Sequence, residues 1–353
     1  MIDYLVVGLG LAGVSFCERL ALDKKSYKVV SDRSQSSSLV AGGLYNPVVL
    51  KRFTLAWNAD GQLEKAIPFY KRLEGKFGTQ LDYKVPVFRK FASVEEQNMW
   101  FEAADKKKLG KFLDGTVVEN TYEGIDAPFG YGQVLHTGRI DVSTLVSLYG
   151  ADLLQKEKLL EETFDFDQLQ VHTDTIRYKE ITARKIVFAE GFGLKNNPYF
   201  NYLPLQGNKG ELLTIKAPAL KLDTIIKSSV FIIPLGKDLY RVGATYERSE
   251  KSNEPTQKAR QELQTKLHTF LKCDYEIVGQ EAGIRPTVAD RRPLVGVHPN
   301  YGHLYVLNGF GSRGVLIAPT VSEQLYRHIE HGETLPPEID VHRFIKRYAA
   351  KVS

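Results

Sequence analysis

Apolar and polar positions follow two rhythms along this chain, and the change between them divides it. The run Tyr4-Leu-Val-Val7 is apolar without a break, as in a parallel strand buried on both faces. Val14 to Leu22 then carries apolar residues at helical spacing, and Tyr27 to Ser31 reads as a second strand. Trp57 to Phe77 and Val94 to Phe112 predict amphipathic helices with solvated lysine faces. Strand-like stretches fall at Glu162 to Phe164, at Leu169 to His172 and at Lys185 to Gly191. Beyond Leu203 the rhythm becomes short and alternating. Glu211 to Ile215, Ser229 to Pro234 and Leu239 to Tyr246 predict an antiparallel sheet, with a helix from Glu254 to Leu271 over it. Glu281 to Gly296 is dense in turn residues and reads as a loop. Leu304 to Leu307, the glycine-rich stretch Gly309-Phe-Gly311-Ser-Arg-Gly314 and Val315 to His331 repeat the opening sequence of strand, turn and helix.

The first strand runs straight into Gly8-Leu-Gly10-Leu-Ala-Gly13. In that spacing Gly8 allows a tight turn, Gly10 lets a pyrophosphate approach the backbone, and Gly13 lets helix and strand pack closely. The helix start, through Leu11 and Ala12, faces the negative charge. Asp32 ends the second strand roughly 20 residues on, where a carboxylate binds the adenosine ribose. Ser31 and Arg33 flank it, and Ser38 and its neighbours offer hydroxyls to phosphate. Gly42 and Gly43 would let a flat ring lie against the backbone. The competing accounts are a βα turn without ligand and a flexible surface loop. Gly138-Arg-Ile-Asp141 reads as a turn and N-cap opening a helix.

Length and composition narrow the class. A chain of 353 residues implies two domains. Hydrophobic content of 43% and charged content of 25% are those of a globular protein. A net charge of +5 favours an anionic cofactor or substrate and does not by itself indicate nucleic acid. Lys106-Lys-Lys108 reads as a solvated face. No apolar stretch approaches the ~20 residues of a membrane span. The first strand begins within a few residues of Met1, so no signal peptide and a cytoplasmic location are expected. The cysteines, Cys17 and Cys273, lie far apart and near no histidine cluster, so neither a disulfide nor a metal site is expected.

Together these motifs resemble the D-amino-acid oxidase, glycine oxidase and sarcosine oxidase superfamily of FAD enzymes over nearly the whole chain. The resemblance rests on the N-terminal glycines with Asp32, on Ala41-Gly-Gly43, on Phe188-Ala-Glu-Gly191, on Gly283-Ile-Arg-Pro286, on Asp290-Arg-Arg-Pro-Leu-Val-Gly296 and on Gly309 to Gly314. It implies an α/β fold: a Rossmann-like FAD-binding domain beside a substrate domain built on a mainly antiparallel sheet. The FAD domain would combine residues 1–70, 135–200 and 286–353, and the substrate domain 71–134 and 201–285. Gly8, Gly10, Leu11, Ala12 and Gly13 would hold the pyrophosphate. Ser31, Asp32, Arg33 and Ser38 would lie along the adenosine half, with the adenine-contact strand near Thr163 and Phe164. Gly42, Gly43 and Leu44 would lie by the flavin ring, with Gly191, Gly309, Gly311, Ser312, Arg313, Gly314 and Val315 around it. FAD would be non-covalent, since the attachment cysteine of covalent flavoproteins is absent.

In such enzymes the arginine of Gly-x-Arg-Pro binds the substrate carboxylate, a position filled by Arg285. A planar, permanently charged fork suits that task. An arginine pinned structurally between loops is the alternative. Phe231 stands where glycine oxidases have a tyrosine, and Arg241 where sarcosine oxidases have an oxygen-activating lysine. Tyr246 completes the catalytic candidates. The implied reaction is oxidation of the C–N bond of a small amine or amino acid, with oxygen or another electron acceptor. Gly-Leu-Tyr-Asn-Pro47 and Asp290 to Gly296 also resemble the oxidase domain of the tRNA 5-methylaminomethyl-2-thiouridine modification enzyme. That leaves a nucleic-acid substrate open. A flavoprotein without turnover and a nicotinamide-dependent dehydrogenase are the remaining alternatives.

Overall fold

The computed structural model describes residues 1–352, with side chains through Lys351. The chain divides into two compact units, Met1–Ala41 with Val142–Asn208 and Ile284–Ser353, and Gly42–Asp141 with Lys209–Gly283.

The first unit is built on a parallel core. Leu159–Leu160, Tyr27–Val30, Ile2–Val7, Ile181–Phe188 and Leu304–Asn308 lie side by side in that order, every pair parallel. In register, Val7 faces Phe188, and Phe188 faces Val306. Burial on both faces accounts for the unbroken apolar run at Tyr4 to Val7. Leu294–Val297 and Ile176–Tyr178 add antiparallel strands. Helices Leu11–Leu22, Val142–Gln155 and Gly314–His331 belong to the same unit. The strand expected at Glu162 to Phe164 lies earlier, at Leu159–Leu160, because those two leucines pair with Val29 and Val30. Thr163 instead follows the strand, and its hydroxyl donates to Asp32 Oδ2 at 2.9 Å.

The second unit carries an eight-stranded sheet in the order Glu276–Val288, Leu205–Lys216, Leu239–Gly243, Phe231–Gly236, Ile225–Lys227, Val87–Lys90, Tyr131–Val134 and Leu113–Val118. From Leu205–Lys216 to Leu113–Val118 the pairings are antiparallel apart from Ile225–Lys227 on Val87–Lys90. Side chains alternate between its faces. Ile226, Ile232 and Val242 join Leu263 and Leu267 of helix Gln257–His268 in one apolar cluster. Ile225 and Ile233 join Val87, Phe91 and fully buried Trp100 in another. A small sheet pairs Gly138–Ile140 with Leu44–Tyr45 and with Asp82–Tyr83.

Several expectations change. The helix opening at Val94 stops at Ala104 rather than Phe112. Residues 105–112 turn back on themselves, with Gly110 N–H donating to Lys106 O, and this carries Leu109 and Phe112 into the core. Glu281 to Gly296 is mostly not a loop: Glu276–Val288 is one long strand, and the turn is confined to residues 289–293. This strand is at the sheet edge, where the missing N–H of Pro286 is tolerated. Gly138–Ile140 is a strand, not a turn, and Gly138 is needed because a Cβ there would run into the Tyr45 ring. Residues 42–70 and 135–141, expected with the dinucleotide-binding part, group with the second unit, since Leu44–Tyr45 pairs with Gly138–Ile140.

Candidate active site

In the first unit the turn after Ile2–Val7 and the start of helix Leu11–Leu22 form an open cradle. Gly8 has φ +99°, and a Cβ there would meet the backbone of Ala189 and Glu190. Gly10 caps the helix in extended conformation, without a side-chain cap and with no acidic residue in the first turn. A Cβ on Gly10 would come within 3.0 Å of Ser38 Oγ, which accepts from the Leu11 N–H at 3.1 Å. Serine, backbone amides and the positive end of a helix therefore converge, as an anionic phosphate requires. Asp32 is exposed beyond the second strand, and its carboxylate accepts from Ser34 N at 2.9 Å and from Thr163. Burial pushes its pKa up, but these hydrogen bonds outweigh that and hold it below the ordinary aspartate value. Ser31 is buried and accepts from Arg33 N, while Arg33 pairs with Glu161 at 2.8 Å. The residues present thus fit a dinucleotide with phosphate at Gly10 and ribose at Asp32.

The second glycine turn belongs to the same unit. Asn308 ties it to the strand ending at Phe188: its amide donates to Gly191 O at 2.9 Å, and its Oδ1 accepts from Gly309 N. Gly311 N donates to Pro286 O at 3.0 Å, which fixes the turn beside the Arg285 segment. Ser312 is exposed, Arg313 caps helix Gly314–His331, and Val315 is buried. Burial, with help from Arg292, lowers the Arg313 guanidinium to about 10. Arg285 is half-buried, and its Nη1 donates to Asn208 Oδ1 at 3.3 Å.

The second unit holds the remaining candidates. Gly42 lies over the sheet, where a Cβ would come 3.0 Å from Ile233 Cδ1 and 3.6 Å from Phe231 Cζ. Gly43 has φ +69° and is buried, and Leu44 pairs with Arg139. Arg241 sits opposite Ile233 and is ion-paired with Glu281 at 2.5 Å. Phe231, Ile233 and Arg241 are therefore brought together. Tyr246 is not part of that face: it lies past the strand end at Gly243 and is 69% exposed, so its position gives a catalytic role no support.

A family model described as FAD dependent oxidoreductase matches residues 3–327. The chain belongs to that family. It is 23% identical to the glycine oxidase of Bacillus subtilis over 212 aligned residues, covering 58% of this chain and 56% of that protein. It is 25% identical to the tRNA 5-methylaminomethyl-2-thiouridine biosynthesis bifunctional protein MnmC of Idiomarina loihiensis over 173 residues, 47% of this chain and 28% of that protein. The MnmC protein of Burkholderia thailandensis matches at 23% identity over 98% of this chain and 60% of its own length. The chain thus spans less than two thirds of each of these curated relatives. Among solved structures, glycine oxidase from Geobacillus kaustophilus superposes with TM-score 0.78 at 19% identity, covering 97% of each chain. Iminodiacetate oxidase from Chelativorans sp. BNC1 superposes with TM-score 0.77 at 17% identity, covering 97% of this chain and 98% of that one. The α/β fold with an FAD-binding part and an antiparallel sheet is shared with these proteins. No helix among the described residues is long and apolar enough to cross a membrane.

Sequence reasoning gave no role to two groups at these places. Glu190, beside the Gly8 turn, is half-buried, and burial raises its carboxyl to about 7 although Asn197 Nδ2 donates to it at 2.8 Å. Arg139, in a segment read as a turn, is 9% exposed beside Gly43. A charged residue between Gly138 and apolar Ile140 was the available signal.

Proposed function

We propose that this member of the family oxidises the C–N bond of a small amine or amino acid. Bound FAD supplies the two-electron acceptor for that bond. The first unit would hold the cofactor through Gly8, Gly10, Leu11, Ala12, Gly13 and Ser38 at the pyrophosphate and Asp32 at the ribose. Arg313 and the start of helix Gly314–His331 place positive charge by the second glycine turn, which favours an anionic ring. Arg285 takes the substrate carboxylate with a bidentate fork, and Asn208 positions it. The substrate amine binds neutral, the imine product hydrolyses in water, and no side chain need act as a base. The observation that carries the reading is the Arg285 segment, tied through Pro286 O to the second glycine turn in a chain of this family. Names such as glycine oxidase and iminodiacetate oxidase among the relatives support the same class of substrate.

Anaerobic bleaching of the flavin against a panel of amines and amino acids tests this. Arg285→Lys is expected to keep FAD and fold while losing roughly 2–5 kcal/mol in kcat/KM on the best amino acid, because lysine cannot reproduce the fork. Equal rates for mutant and wild type would remove the amino-acid reading. The match to MnmC over 98% of this chain favours one second reading, a modified wobble nucleoside as the amine. A methylaminomethyl-uridine in the panel that bleaches the flavin faster than any free amino acid would establish it.

A further inference from the structure

Helix Gln257–His268 and the segment that follows it run side by side in opposite directions. Two hydrogen bonds tether them. Gln280 Nε2 donates to Thr256 O at 2.9 Å by the start of the helix, and the Tyr275 hydroxyl lies 2.9 Å from His268 Nε2 at its end. Between the tethers the two do not close on each other. They leave an open groove of about 670 Å³ within the second unit. That size suits a small organic molecule.

The lining indicates which molecule. The helix presents Arg260, Gln264 and His268 to the groove, each four residues from the next and so on one face. At 1.5 Å per residue that stripe is about 12 Å long. Arg260 and Gln264 are half-buried, and among the described residues neither the guanidinium nor the side-chain amide takes a partner. A guanidinium partly out of water and without an acceptor gains from an oxyanion that reaches it, and its fork fits a carboxylate or a phosphate. The opposite wall is apolar. Leu271 is buried there, Ile277 is half-buried, and half-buried Tyr275 offers its ring. Lys272 and Asp274 are exposed and oppose each other in charge, and Lys272 also pairs with Asp126 at 3.5 Å. Arg260 therefore sets the charge of the groove.

We propose that this groove is a ligand site for an anion carried on a flat apolar ring, its carboxylate or phosphate held by Arg260 and Gln264 and its ring by Tyr275 and Ile277. The site does not depend on the C–N oxidation reading, which uses none of these residues.

The groove carries its own reporter. Cys273 lines it and is half-buried, while the other cysteine, Cys17, is fully buried. Burial raises the Cys273 thiol above its ordinary value, so labelling is run under alkaline conditions. The FAD-loaded protein is treated with iodoacetamide, and the labelled residue is read by mass spectrometry. Phenyl phosphate is expected to protect Cys273. Its apparent affinity should be about tenfold better than that of benzyl alcohol, a ring without charge, and of inorganic phosphate, a charge without ring. Benzoate run beside it decides between carboxylate and phosphate. Arg260→Met should bring the ring-bearing anions down to the level of benzyl alcohol, and Arg260→Lys should keep part of the difference. FAD content and melting temperature check that each variant is folded. If Arg260→Met does not fold, wild type and Arg260→Lys still decide the matter. Equal protection of wild type by the anions and benzyl alcohol overturns the proposal, as does protection that survives Arg260→Met unchanged. Inorganic phosphate protecting as well as phenyl phosphate removes the ring and overturns it too. Flavin bleaching is scored separately: if no amine bleaches the flavin yet phenyl phosphate or benzoate protects Cys273, the C–N reading falls and the groove site stands.

Discussion

Glu190 shows how one residue sets a pH dependence. Its carboxyl is raised from 4.5 to about 7 by burial, so the folded chain prefers it neutral. A folded value above the unfolded one means that its contribution to stability is full below about 4.5 and is lost as the pH rises through about 7. Glu190→Gln cannot ionise and can still accept from Asn197. Denaturant unfolding is expected to find the variant more stable than wild type at pH 8, by on the order of 1–3 kcal/mol, and equal to it near pH 4.5. Equality at pH 8 would show that the carboxylate ionises without penalty. At this scale the sequence was informative where the chemistry is local. The glycines at 8, 10 and 13 and the acid at 32 sit in one stretch, and their spacing states their task. Arg139 was not legible, because Gly43 and Tyr83, which it packs against, come from distant segments.

Elements divide the same way. Strand, glycine turn and helix at each end could be read because periodicity and turn chemistry agree there. Glu276–Val288 could not, because Gly283, Pro286 and the charged residues around them are turn formers that an edge strand tolerates. The helix from Val94 overran at its C-terminal end, since Leu109 and Phe112 continue the apolar count while the backbone has already turned. Caps are clearer signals. Thr256 opens helix Gln257–His268, with Oγ1 accepting from Ala259 N at 3.2 Å and donating to buried Glu211 at 2.8 Å. Thr256→Ala removes the cap and leaves Glu211 short of one donor, although Thr256 N and Gln280 still reach it. A loss of about 1–2 kcal/mol in unfolding free energy is expected. A loss under a few tenths would mean that the helix is held by Leu263 and Leu267 alone.

Over the whole molecule, neither compact unit is a continuous piece of chain. The first is assembled from three segments and the second from two, and strands Leu205–Lys216 and Glu276–Val288 each run through a unit boundary. A unit whose segments are supplied by excursions of the chain cannot complete itself while the intervening segment is unfolded. Unfolding is therefore expected to be one cooperative event, although each unit has its own apolar core. The cofactor cradle, by contrast, lies in the first unit, at Gly8 to Gly13, Asp32 and Ser38. A ligand that binds only the folded state adds RT ln(1 + [L]/Kd), about 2.7 kcal/mol at a hundredfold excess over Kd. With one cooperative transition, that energy protects both units equally. Calorimetry of FAD-depleted protein should show a single peak, and added FAD should move the whole of it upward by a few degrees. Acid precipitation of the loaded protein should leave the yellow colour in the supernatant, since FAD would be held by hydrogen bonds and charge alone. A second peak that ignores FAD would show that the long strands do not couple the units. A single peak unmoved by FAD would instead count against the cradle itself.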